Sequence, residues 1–425
     1  MSLRTEGAAM EYRARVVDAE LRRALASAGA IVIEGPKACG KTLTARQVAA
    51  SELRVDTDPR VPPAIAVDPS LLLDGAPPQL LDEWQVQPAL WNHVRRAVDD
   101  RQQAGQFILT GSATPDDDAA RHSGAGRFAR IKMRPMSLLE SGHSSGAASL
   151  RSLLADEPIR VSGPDLALAV LIERVLTGGW PGLQSLGPSD ASRAVRDYLA
   201  TIQQVDVGRV AGPRRDPVKV GRVIAAIARN VATEASIVTL AKDAASEGED
   251  PARHTVSGYL DVLERLMVVE DQPAWPTHLR SSATLRKSPK RHFVDPSLAA
   301  AALRATPETL LADLNFFGLL FESLVIRDLR VYAQAADGTV SHYRDSTGLE
   351  VDVIVETGDG RWGAFEVKLG ASQIDTAAAG LLRFRDRVDT SRVGEPSVLG
   401  VITPSGLGYR RPDGVSVVPI GALGP

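Results

Sequence analysis

Two stretches of this chain carry residue types whose spacing suits work on phosphates. In "GPKACGKT" the residues Gly35, Pro36, Lys37, Ala38, Cys39, Gly40, Lys41 and Thr42 fill the pattern G-x-x-x-x-G-K-[ST]. The β-branched run "AIVIE" precedes it and the helical "KTLTARQVAAS" follows, a setting in which backbone N–H groups curl around phosphate oxygens. Lys41 is then expected to reach the β and γ phosphates of ATP, and the Thr42 hydroxyl to ligate Mg2+. Cys39 is expected to be a small filler, because the loop needs only its backbone. Downstream, "PQLLDEWQ" ends an apolar run in Asp82 and Glu83, the first suited to the metal's shell and the second to polarising the attacking water. "FILTGSA" ends in hydroxyls, with Ser112 as a γ-phosphate sensor, Thr110 as its rival, and a plain Gly-Ser turn as the alternative. Arg127 follows a glycine loop and is a candidate arginine finger toward a neighbouring subunit's nucleotide.

The second stretch is "GAFEVKLG". Side chains alternate along a strand, so Glu366 and Lys368 share one face while Phe365, Val367 and Leu369 take the other. "GLEVDVIVE" is another alternating run, and "ETGDGR" is a turn that lets the two pair as a hairpin, bringing Asp352 to Glu366. Glu322, with apolar residues on both flanks in "FGLLFESLVIRDL", is expected to point inward and complete the group. Carboxylates can hold Mg2+ or Mn2+, the metal acidifies a bound water, and a lysine steadies the attacking group: Asp352 and Glu366 as ligands, with Glu322 and Lys368 beside them, suit phosphodiester cleavage. Solvated charges on two ordinary amphipathic strands are the plain alternative. Arg344 and Gln373 flank the group and either contact phosphate or simply lie on the surface.

The elements that must hold these residues follow from hydrophobic periodicity. Helical spacing over Glu11 to Ala28, then strands at "AIVIEG", "PAIAVD", "QLLDE" and "QFILTGSA" separated by helices such as "PALWNHVRRAVDD", predict an α/β domain with a mostly parallel sheet over residues 1–160. Residues 161–277 show mainly three-to-four spacing. There "IVTLAKDA", a loop, and "HTVSGYLDVLERLMVVEDQPAW" are the parts of a winged helix-turn-helix whose recognition helix would open with Arg253, His254 and Thr255, or of a helical packing module. The run "HLRSSATLRKSPKRH" carries Arg280, Arg286, Lys287, Lys290 and Arg291 without an acid, and either tracks a phosphate backbone or is a solvated loop. Residues 278–425 read as a second α/β domain.

The ordered series "IEGPKACGKT", "LLDEWQ", "ILTGSA", "GRF", "MRPMSLLE" and "GGWPG" resembles a family of bacterial and archaeal AAA-type ATP-binding proteins. In that family a P-loop ATPase domain is joined to a C-terminal domain of unknown function related to the PD-(D/E)XK nucleases. The similarity extends through "KSPKRHFVDPSLAAA" and "GLEVDVIVE" to "AFEVKLG", and only the tryptophan in "DEWQ" departs, leaving the acid pair intact. The resemblance implies ATP binding and hydrolysis, a ring or dimer of identical chains, and a C-terminal restriction-endonuclease-like fold. In that fold Glu322, Asp352, Glu366 and Lys368 match the E, D and E-x-K positions.

Composition bounds the rest. A 425-residue chain with 44% hydrophobic residues calls for more than one core, and a net charge of -3 leaves any nucleic-acid contact to local basic patches. A single cysteine excludes an intrachain disulfide and fits a reducing cytoplasm. The first residues lack a signal-peptide core and no run reaches the length of a membrane span, so no membrane association is expected. The leading expectation is an ATPase that licenses a metal-dependent nuclease on DNA. The alternatives are an ATP-driven switch or scaffold in a defence, toxin-antitoxin or regulatory assembly whose nuclease-like domain binds without cutting, and remodelling of a protein partner.

Overall fold

The computed structural model describes residues 12–111, 124–162, 166–211, 216–245, 252–276 and 288–425. Five strands form the N-terminal sheet: β1 (Ala30–Glu34), β2 (Ser51–Arg54), β3 (Gln79–Asp82), β4 (Phe107–Gly111) and β5 (Phe128–Lys132). They lie in the order β2-β3-β4-β1-β5, all parallel. The central strands β1 and β4 are buried on both faces, which is why they read as continuous apolar runs. One face packs on Leu53, Trp84, Trp91 and Phe107, the other on Leu21, Ile31, Ile108 and Met133.

Two differences from the sequence expectation have local causes. "PAIAVD" is no strand: Val61–Val67 is a helix with proline in its first turn, where the missing N–H and fixed φ are tolerated, and Val67 is exposed. Conversely β2 carries only one buried residue, Leu53, because it is the sheet's edge, so its polar "SELR" shows no strand signal.

The C-terminal sheet has seven strands: β7 (Arg160–Ser162), β8 (Thr339–Arg344), β9 (Glu350–Glu356), β10 (Trp362–Val367), β11 (Val398–Thr403), β12 (Leu407–Arg410) and β13 (Ser416–Pro419), in the order β7-β12-β13-β11-β10-β9-β8. β9 and β10 pair antiparallel across the expected turn, while β10, β11 and β13 run parallel. β6 (Ala148–Ser149) pairs with β14 (Leu423–Gly424) in a separate two-stranded sheet, and β7 joins the seven-stranded sheet, so the chain pairs with C-terminal elements at both points before the middle region begins.

Between them lie helices Leu168–Thr177, Pro188–Thr201, Pro217–Arg229, Ile237–Asp243 and Arg253–Arg265. After the last of these an arm forms, with antiparallel bridges Val269 to Phe293 and Gln272 to Lys290. The middle helices and one face of the C-terminal sheet share one continuous core, crossed by the 21-residue helix Leu314–Gln334. Among the described residues no helix is long and apolar enough to cross a membrane.

Candidate nucleotide site and C-terminal acidic site

After β1 the chain turns through the loop into helix Lys41–Arg46. Ala38 (φ 61°) and Gly40 (φ 106°) take left-handed conformations, and a Cβ on Gly35 would stand 2.2 Å from the Met133 carbonyl oxygen. The buried Arg15 braces this turn, donating to the carbonyl oxygens of Cys39 and Arg134 at 2.8 Å each, with its Nε 3.0 Å from the Glu140 carboxylate. Lys41 is buried and its Nζ donates to the carbonyls of Gly35 and Pro36, both at 2.8 Å. Asp82 Oδ1 accepts from Thr42 Oγ1 at 2.8 Å and from Thr110 Oγ1 at 2.5 Å. Thr42, Asp82 and Thr110 thus meet at one carboxylate oxygen. A loop hydroxyl after β1 and an acid at the end of β3, with β4 between them and a lysine beside them, suit a hydrated Mg2+ carried in with a triphosphate.

Glu83 follows with φ 55°, uncommon for a residue other than glycine, and its Oε2 accepts from Gln85 Nε2. Cys39 is buried, with its Sγ 3.7 Å from the Met133 carbonyl oxygen. Arg127 is bound within its own chain, its Nε donating to Asp99 Oδ1 at 2.8 Å. Ser112 lies outside the described residues. Lys37 reaches the middle region, 2.6 Å from the buried Asp206, which sits in a π-helical turn over Ile202–Asp206.

The second site forms where β9, β10 and helix Leu314–Gln334 converge. Strand pairing sets Asp352 beside Glu366, and Val367 N–H donates to Asp352 Oδ2 at 3.0 Å. Lys368 Nζ lies 2.6 Å from Glu366 and 3.2 Å from Asp352. Glu322 points inward as expected, but its partner is Lys290: Nζ lies 2.8 Å from Glu322, 2.9 Å from Glu350 and 3.4 Å from Asp352. Lys290 therefore belongs to the acidic site, with its side chain 2% exposed. A cavity of about 540 Å³ opens here, lined by Glu322, Asp352, Lys368 and Gln373 among leucines 166, 168, 314, 319 and 369.

Burial and the Asp352 charge push Glu322 up to about 7, Lys290 offsetting only part of this. Burial and the Asp352 charge likewise raise Glu366. Asp352 is also desolvated, yet the ammonium groups of Lys290 and Lys368 and the Val367 N–H hold it at about 2. The same carboxylates keep Lys290 charged, well above the usual lysine range, against its burial. A metal fits this arrangement poorly, since an ammonium stands where three carboxylates converge. Among the described residues, no group of three or more His, Cys, Asp or Glu side chains is arranged to hold a metal ion.

Of the basic run, Arg280, Arg286 and Lys287 lie outside the described residues. Arg291 is buried, pairing with Asp271 and donating to the Ala235 carbonyl. Arg253 and His254 are exposed at the start of their helix, Thr255 is half-buried, and Arg344 lies 3.8 Å from Glu234. Sequence reasoning missed Glu350, although its place two residues before Asp352 puts it on the same strand face. It also missed Arg15 and the inward turn of Lys290, for which a basic run gives no local sign.

Residues 27–141 match the family described as an AAA domain. Residues 169–309 and 317–423 match two families described as domains of unknown function, DUF8612 and DUF4143. Two uncharacterized proteins, Mb2031c of Mycobacterium bovis and Rv2008c of Mycobacterium tuberculosis, are each 28% identical over 355 residues, covering 82% of this chain and 72% of theirs. Among solved structures, a Walker-type ATPase of Pyrococcus abyssi is similar at 13% identity with a TM-score of 0.41, covering 67% of this chain and 94% of its own. The ORC2 protein of Aeropyrum pernix follows at 12% and 0.28, covering 70% and 93%. The AAA-domain match, joined to the loop geometry, supports an AAA-type P-loop ATPase and ATP binding for the N-terminal part.

Proposed function

We propose that the chain is an ATP-driven switch. It binds ATP with Mg2+ at residues 35–42, hydrolyses it, and uses the nucleotide state to set the grip of its middle and C-terminal parts on DNA without cutting it. The observation that carries the nucleotide half is the convergence of Thr42 and Thr110 on Asp82 beside Lys41. Thr42 and Asp82 would hold the Mg2+, which when bound neutralises charge on the β and γ phosphates. Lys41 would leave its loop carbonyls for the phosphate oxygens, Thr110 keeps Asp82 oriented, and Glu83 takes a proton from the attacking water. Lys37 links the loop to Asp206, a route by which the loop's state reaches the middle helices.

The chain divides in this proposal into an ATPase unit (1–160), a winged-helix-like unit (161–277) and a nuclease-like unit (278–425). DNA contact draws support from Arg253 and His254, exposed on the helix that follows the short one. A homo-oligomer in which Arg127 serves a neighbour's nucleotide requires Arg127 to exchange Asp99 for phosphate. Metal-dependent cleavage is the competing reading, favoured by Lys368 lying between Glu366 and Asp352 and opposed by Lys290 among the acids.

Lys41→Ala abolishes ATP binding, whereas Glu83→Gln retains binding and loses about 10²–10⁴-fold in turnover. Turnover at the parent rate in the Glu83 variant removes its role as base. For the DNA half, anisotropy of a labelled duplex is expected to differ between ATP and ADP, and Arg253→Ala with His254→Ala to weaken binding and flatten its salt dependence. Unchanged binding in that double variant rejects the recognition helix.

A further inference from the structure

We propose that Lys290 is the resident cation of the C-terminal acidic site, so that its carboxylates are met by lysine ammonium groups in place of a divalent metal. The inference rests on the reading that this site holds rather than cuts. Its basis is geometric. The ammonium has one carboxylate oxygen of each of Glu322, Glu350 and Asp352 within 3.4 Å. On the other flank Lys368 serves Glu366 and the second oxygen of Asp352. Each carboxylate of the group thereby faces an ammonium.

A surface lysine would swing away from an incoming ion, but Lys290 has its backbone paired and its side chain buried. Its N–H donates to the Gln272 carbonyl at 3.0 Å and its own carbonyl accepts from Gln272 N–H at 2.9 Å. The Gln272 side chain in turn donates to the carbonyls of Ser341 and Asp352 at 2.9 and 3.0 Å, tying the arm to the C-terminal sheet. Mg2+ takes oxygens at about 2.0–2.1 Å in a near-octahedral shell, so an ion shared by Glu322 and Asp352 would sit almost on the Lys290 nitrogen. One shared by Asp352 and Glu366 would crowd the Lys368 nitrogen, 2.6 Å from Glu366 and 3.2 Å from Asp352. Like charges at that separation in a buried site exclude one another.

The test is a Mn2+ titration of the full-length, nucleotide-free chain, with Asp82→Asn removing the carboxylate of the ATP site and free Mn2+ counted by electron paramagnetic resonance. This parent is expected to hold no ion tighter than about 1 mM. Adding Lys290→Met, which keeps the side chain's length without its charge, is expected to create one Mn2+ site per chain, lost again on further Asp352→Asn. One ion held by the parent and released by Asp352→Asn overturns the proposal. So does a folded Lys290→Met protein that gains no ion. If Lys290→Met does not fold, the parent against Asp352→Asn decides alone. Supercoiled DNA in parallel tubes separates the two claims: nicking by the parent overturns the holding reading, whereas a tightly held ion without nicking overturns only the lysine assignment.

Discussion

Glu322 is a buried carboxyl with Lys290, Glu350 and Asp352 facing it, and this crowding has a measurable pH signature. Its value of about 7 in the fold lies above the ordinary 4.5, so between those values the folded chain binds the proton more tightly than the unfolded one. Its contribution is fully present below about 4.5 and is lost as pH rises through about 7. Glu366 shifts in the same direction, whereas Asp352, held at about 2, acts oppositely and only at acid pH. Denaturation midpoints of the parent are therefore expected to fall from pH 5 to pH 8, and Glu322→Gln to flatten that fall, by up to about 3 kcal/mol at the alkaline end. Equal slopes in both proteins would show that Glu322 ionises freely in the fold.

Helix Leu314–Gln334 carries Glu322 into the acidic site, and its N-terminal half is held by two different forces. Asp313 caps it by accepting from Phe316 N–H at 3.0 Å, while Phe317, Leu320, Phe321 and Leu324 are wholly buried in the shared core. Loss of a cap costs about 1 kcal/mol, whereas truncating a buried phenylalanine costs about 3–5 kcal/mol. Asp313→Ala is thus expected to shift the urea midpoint slightly and Phe321→Ala severely, and comparable shifts would mean that capping rather than packing fixes the helix. The short helix Val61–Val67 carries the converse lesson: an apolar run identifies a strand only if it is buried, and there it is mostly exposed.

Across the whole molecule, buried ion pairs join the parts that the two sites occupy. Glu270 of the arm meets Lys132 at the end of β5, Arg134 just beyond it and Arg330 of the long helix. Arg327 lies between Asp295 and Asp328. Asp295 also accepts from Gly179 N–H of "GGWPG", and Asp328 accepts from Leu138 N–H. Removing one member of such a group leaves the others buried and unpaired, so Arg327→Met is expected to cost about 3–5 kcal/mol, read from denaturant unfolding. A loss below about 1 kcal/mol would show that water reaches both aspartates.

What the sequence by itself determined lies within single segments. The strand-loop-helix around Lys41, the Asp82-Glu83 strand end and the Glu366-x-Lys368 alternation are set by local periodicity and glycine geometry, and each is found where its spacing puts it. The β9-β10 hairpin was legible for the same reason. Only the tertiary structure decided that the Thr110 hydroxyl meets Asp82, that Arg127 is bound to Asp99, that β6 and β7 join the C-terminal elements, and that Lys290 turns inward to the acids instead of outward to solvent. The physical reason is range. A basic run has the same local pattern whether it faces water or a buried carboxylate cluster, and the difference comes from residues such as Gln272, Glu322 and Asp352, contributed by distant segments of the chain.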